Sequence, residues 1–138
     1  MATGYSGTPL PQKLGIKPGT KILLINPPKD YYDFVGYNIR DQIITKNEIP
    51  DLVHLFVENN KSFESEIKKL KKYFPLNPTI VIWVSWYKKS SGIKTDITED
   101  VIRNFALKND LVDIKVCAVS EVWSGLKLVV QKAKRVTK

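Results

Sequence analysis

The chain has 138 residues, 43% of them apolar, and a net charge of +8; that is material for a single domain, residues 1–138, with a real core. No apolar stretch approaches the ~20 residues of a membrane span, and the first residues lack the basic-then-apolar order of a secretory signal. One cysteine and one histidine exclude an internal disulfide and supply too few N/S ligands for zinc. Cys117, between valine and alanine, reads as a buried thiol in a reducing cytosol, so the expected location is cytoplasmic.

Residues 1–19 carry glycines and prolines and read as irregular, with one helical turn near residues 11–14. The run KILLI, residues 21–25, is the first strand, and Asn26, Pro27 and Pro28 end it because proline has no N–H for the ladder. Residues 30–38 predict a short helix capped by Asp30, and residues 42–45 a small strand. The run LVHLFV, residues 52–57, is a buried strand. Phe63, Ile67, Leu70 and Phe74 then recur at helical spacing, with a cap at Asn60 or Ser62, and Pro75 and Pro78 close that helix.

Residues 79–86, TIVIWVSW, show no polar alternation, which predicts a strand covered on both faces. The sequence then turns to Lys88, Lys89, Ser90, Ser91 and Gly92, the loop at that strand's carboxyl end. Asp96 with Glu99 predicts a helix start, and Ile97, Val101, Ile102, Phe105 and Ala106 its buried stripe. Residues 111–119 form the next strand, 120–125 (SEVWSG) a tight connection, 126–131 the last strand, and 132–138 a basic tail. The fold class is α/β: a doubly wound, mainly parallel sheet of about five or six strands with helices on both faces. The last two strands are joined too closely for a crossover, so they form an antiparallel C-terminal pair.

Open α/β sheets bind ligands at the carboxyl ends of their strands. The residues expected there are Asn26, Asp30, Tyr31, Trp86, Lys88, Lys89, Ser90, Ser91, Thr95 and Trp123. Lysines would supply charge, hydroxyls hydrogen bonds and aromatics stacking. The order of a P-loop is absent from the lysine-serine loop. His54, among apolar residues, reads as a satisfied core histidine, and no acidic cluster suggests a metal. Trp123 and the aromatic region 31–37 are the expected surface of a homodimer.

The closing series of strand, helix, strand, helix and antiparallel strand pair resembles the second half of class I S-adenosylmethionine-dependent methyltransferases, of Rossmann type. LGIKPGTKILLIN, residues 14–26, is similar to their entry into the first strand. The stretches GYSGTPL (4–10), SWYKKSSG (85–92) and EVWSGLKLV (121–129) resemble a family of small bacterial proteins of unknown function. The resemblance implies a first strand at the centre of the sheet. Residues 52–57, residues 79–86 and the last strand would follow in order, with 111–119 at the edge. Asn26-Pro27-Pro28 is also similar to the motif with which amino-group methyltransferases hold a flipped base; a strand ended by prolines is the competing reading. The turn 26–30 has no glycine, which departs from the family's cofactor-binding turn.

Three functions follow as expectations. The first is a non-catalytic cytoplasmic domain that binds an anionic small molecule or a partner protein at the carboxyl edge of the sheet. The second is a reduced methyltransferase using S-adenosylmethionine. The third, from the charge of +8, is a nucleic-acid-binding protein. No membrane association is expected.

Overall fold

The computed structural model describes residues 9–135, and the backbone only of Tyr37. Most of the GYSGTPL stretch and the last three residues of the basic tail therefore lie outside the described residues.

Five strands form one sheet: β1 (Ile22–Ile25), β2 (Leu52–Phe56), β3 (Val81–Tyr87), β4 (Leu111–Ala118) and β5 (Trp123–Val130). Their order is β1-β2-β3-β5-β4. The first three are parallel, and β5 runs antiparallel to both of its neighbours. The expected order of neighbours holds, and so does the antiparallel final pair. The expectation of a central β1 does not: β1 lies at an edge. The chain between β1 and β2 builds only helix α2 (Tyr31–Val35), a 3-10 segment (Tyr37–Gln42) and one parallel bridge, Ile22 to Ile43. The small strand expected at 42–45 is that single bridge.

Strand alternation sorts the core into two halves. On one face, Val53, Leu55, Ile82, Val84, Leu126 and Leu128 pack under helices α3 (Asn60–Leu70) and α4 (Glu99–Lys108). Those helices contribute Phe63, Ile67, Leu70, Ile102 and Ala106, so the predicted stripes are the buried ones. On the other face, Ile22, Leu52, Phe56, Trp83 and Trp123 pack under α1 (Leu10–Leu14), α2 and the 3-10 segment, through Leu14, Tyr31, Val35 and Ile39. The indole N–H of buried Trp83 donates to the Leu14 carbonyl at 2.9 Å and ties α1 to the sheet.

Local boundaries shift where two neighbouring residues could do the same job. Asn59, not Asn60 or Ser62, caps α3, its Oδ1 accepting from the Ser62 N–H at 2.8 Å. Thr98 caps α4 by accepting from the Val101 N–H, while Asp96 accepts from the Asn60 N–H at 2.7 Å. Asp30 stands at the start of α2 but makes no capping bond. The last strand begins at Trp123 rather than residue 126. Ser120 Oγ accepts from the N–H groups of Val122 and Trp123 and tightens the connection before it. Cys117 is half-buried rather than fully buried, and burial raises its pKa.

Candidate functional site

β1, β2 and β3 are parallel and β5 starts where β3 ends, Tyr87 being paired with Trp123. The turns after β1, β2 and β3 and the turn before β5 therefore leave one rim of the sheet, at its carboxyl edge. The expected residues do not all share a pocket: Trp86, Lys88, Lys89, Ser90 and Thr95 line one cleft and Asn26 another.

Two clefts open there. The first, of about 570 Å³, runs along β1 and includes Leu24, Asn26, Lys46, Lys69 and Lys72. The second, of about 890 Å³, lies beyond β3 and includes Trp86, Lys88, Lys89, Ser90, Lys94 and Thr95. The end of one whole strand, β2, separates Asn26 from Lys88, because β1 and β3 flank β2.

Four expected site residues are spent on the fold. Tyr31 is 1% exposed, and its hydroxyl bonds His54 Nδ1 at 3.1 Å. Ser91 donates to the Lys88 carbonyl at 2.6 Å and closes its own loop. Thr95 donates to the Glu58 carbonyl at 2.7 Å and pins the β3 loop to the β2 turn. Trp123 is 7% exposed and stacks on Tyr87 with centroids 4.4 Å apart. Neither Trp123 nor Tyr31 offers a dimer surface. Asp30, Lys89 and Ser90 are exposed, Lys88 is half-exposed, and Trp86 is buried at the inner wall of the second cleft. Asn26 is exposed with φ 55°, a left-handed conformation uncommon outside glycine.

His54 is the satisfied core histidine that its strand predicted. Its other nitrogen, Nε2, bonds Ser85 Oγ at 2.8 Å, so one ring nitrogen donates and the other accepts. Burial pushes its pKa down to about 3 and raises that of Tyr31. The Ser85–His54–Tyr31 row is sealed inside the protein and reaches no solvent. Among the described residues no cluster of His, Cys, Asp or Glu is suited to a metal, and no helix is long and apolar enough to cross a membrane.

Glu58 joins the same rim, outside the residues expected there. It lies exposed at the end of β2, between the two clefts, and bonds Tyr87, whose pKa burial and this carboxylate raise. Its signal was its place directly after the LVHLFV run.

S-adenosylmethionine, the cofactor implied by the methyltransferase resemblance, needs backbone N–H groups at a glycine turn for its amino-acid end and a carboxylate for its ribose. Asn26 adopts a backbone conformation that glycine takes readily, but Pro27 and Pro28 remove two N–H donors straight after it. Beyond β1 there is one bridge and no strand that could end in an acid; Asp41 is exposed in the 3-10 segment. The first turn does not fit the cofactor in the family's manner.

No protein-family model matches the chain, and no curated protein matches it by sequence, so neither supports the resemblance to the family of small bacterial proteins. Solved structures do match. A protein of the NADB-Rossmann superfamily from Streptococcus agalactiae is similar at TM-score 0.57 and 11% identity, over 95% of this chain and 71% of that one. A protein from Sulfolobus solfataricus described as a type 11 methyltransferase is similar at TM-score 0.56 and 16% identity, over 91% of both chains. A Streptococcus pneumoniae protein described as a tRNA (m1A22) methyltransferase is similar at 0.54 and 7%, over 82% of this chain and 64% of that one. At such identities the likeness establishes the fold. It also corrects the leading functional expectation: the solved structures that share this sheet include methyltransferases, so the methyltransferase reading stands ahead of a non-catalytic binding domain. The fold is a mixed, Rossmann-like α/β sheet of five strands among the described residues, and structures described as methyltransferases are among its neighbours.

Proposed function

We propose that the chain is a reduced methyltransferase, with S-adenosylmethionine as the methyl donor that the fold implies. The observation that carries this reading is the fold, strand order β1-β2-β3-β5-β4 with β5 reversed, which superposes over 91% of its length on a structure described as a methyltransferase. No chemical step is assigned through the cofactor, because Pro27 and Pro28 stand where its amino-acid end would need donors. What the chain itself supplies is a polar rim: the exposed amide of Asn26 after β1 and the carboxylate of Glu58 after β2.

A cofactor that binds the native state at ~100 times its dissociation constant raises stability by about 2.7 kcal/mol. Thermal unfolding with S-adenosylmethionine, backed by titration calorimetry, reads this directly. A rise in Tm with measurable heat supports the proposal; neither effect at millimolar cofactor overturns it.

A nucleic-acid substrate is the second reading, favoured by one feature of the second cleft. Lys88, Lys89 and Lys94 line it together with Tyr87, whose ring lies on Trp123. Cations beside a stacked aromatic pair suit a phosphate backbone and a base, and the charge of +8 agrees. The tRNA-directed description of one structural neighbour points the same way. Binding of single-stranded RNA should weaken steeply with salt and fall when Lys88 and Lys89 become alanine. Absence of binding at low salt overturns it.

A further inference from the structure

The outer edge of β1 is unfinished. The Leu52 N–H bonds the Lys21 carbonyl and the Ile44 N–H bonds the Ile22 carbonyl, so odd residues of β1 face β2 and even residues face outward. Ile22 is covered by the bridge to Ile43. Leu24 is next in line, and among the described residues its outward N–H and C=O have no partner.

Beside that free backbone lies the first cleft, about 570 Å³, between β1 and α3. Its floor is apolar: Leu23, Ile25, Leu70 and Tyr73. Its rim is cationic, with Lys46, Lys69 and Lys72 against one carboxylate, Glu66. Lys69 reaches Glu66 only at 3.9 Å and is 68% exposed, so the pair leaves most of the lysine's hydrogen-bonding capacity open. Free donor and acceptor, an apolar trough and a positive rim together describe a receptor for an added strand.

We propose that this edge takes an extended, acidic segment of a partner protein as a sixth strand. Leu24 would exchange both its backbone bonds with the segment. Alternate apolar side chains would settle between β1 and α3, and the acidic ones would meet Lys46, Lys69 and Lys72. The proposal does not rest on the methyl-transfer reading: the cleft shares Asn26 with the rim, but strand addition is read at the Leu24 amide without any cofactor.

The probe is a short fluorescent peptide that alternates valine and glutamate, with its valine-lysine counterpart as control, read by anisotropy at low salt. Two variants divide the recognition. Lys69→Glu with Lys72→Glu reverses the rim, and Leu24→Pro deletes the outward donor while leaving the ladder to β2 intact. Saturable binding of the acidic peptide, weakened about tenfold or more by each folded variant, with slower hydrogen exchange at the Leu24 amide, supports the proposal. It is overturned if the acidic peptide does not bind at about 1 mM or the lysine peptide binds equally well. Charge reversal without effect, or unchanged exchange at Leu24 at saturation, also overturns it. Should Leu24→Pro fail to fold, the charge-reversal variant and the exchange measurement still decide.

Discussion

Acidification should destabilise this protein through His54. The imidazole is 0% exposed and holds Tyr31 and Ser85, which suits its neutral form. Its pKa is about 3 in the folded state against an ordinary 6.5. Between those values the unfolded chain binds the proton and the folded one does not, so stability falls as pH falls. Above pH 6.5 the effect is absent, and below about 3 it levels off. Each unit inside that window is worth about 1.4 kcal/mol, so going from pH 7 to pH 5 removes about 2 kcal/mol. That is a large share of the 5–15 kcal/mol of a typical domain. The assay is urea unfolding followed by tryptophan fluorescence at the two pH values. His54→Gln, which cannot titrate, is the comparison. The chain has no other histidine. The wild type should lose about 2 kcal/mol more than the variant over this interval. Equal losses in the two proteins would refute the reasoning.

Four substitutions test the packing and capping that position the rim. Gly125→Ala should cost about 1–3 kcal/mol in urea unfolding, because a Cβ there stands 2.8 Å from Val119 Cγ2 and 3.2 Å from Trp83 Cε3. An unchanged midpoint would mean that β5 does not press on Trp83. Asn59→Ala should cost about 1 kcal/mol by uncapping α3. Asn60→Ala should cost less, since Asn60 Oδ1 is buried without a partner among the described residues; the reverse ranking would refute the cap assignment. Trp83→Phe removes the bond to the Leu14 carbonyl and should cost about 1–3 kcal/mol, with faster proteolysis near α1 as the readout of the lost tether.

The apolar runs LVHLFV and TIVIWVSW were legible as strands because burial on both faces leaves no polar alternation. The two amphipathic helices were legible through their 3.6-residue stripes. What a local pattern cannot carry is which strand stands beside which. β1 has the composition of a covered strand, yet its outer neighbour is one bridge, because the chain after it makes a short helix and a 3-10 turn instead. Trp123 was assigned to a turn because serine and glycine surround it, but Ser120 makes the turn and Trp123 pairs with Tyr87. The candidate site divides in the same way. Lys88, Lys89 and Ser90 line the second cleft at the carboxyl end of β3, where the rule for open α/β sheets puts ligand-facing loops. The hydroxyl partners of Tyr31 and Thr95 lie 23 and 37 residues away in sequence, beyond what a local pattern carries.

Aromatic side chains decide from which side the rim can be reached. Tyr31 meets Phe56 edge-on at 5.6 Å, Phe56 meets Trp123 at 4.9 Å, and Trp123 lies on Tyr87 at 4.4 Å. This row closes the α1/α2 side under the turns after β1, β2 and β3. Both clefts extend to the opposite side, one beside α3 and one at the start of α4, and the row meets the second only at its end, Tyr87. On the proposed function, a ligand would arrive over α3 and α4, on the side to which β2 carries the exposed Glu58. Trp123 is the ring that joins the two halves of the row. Trp123→Ala should cost about 3–5 kcal/mol and open the sealed side, read as a lower urea midpoint together with new binding of a hydrophobic dye. Lys88→Ala, at the same rim but outside the row, should do neither. A folded Trp123→Ala protein of unchanged stability that binds no dye would show that the barrier lies elsewhere, and with it the argument that fixes the direction of approach.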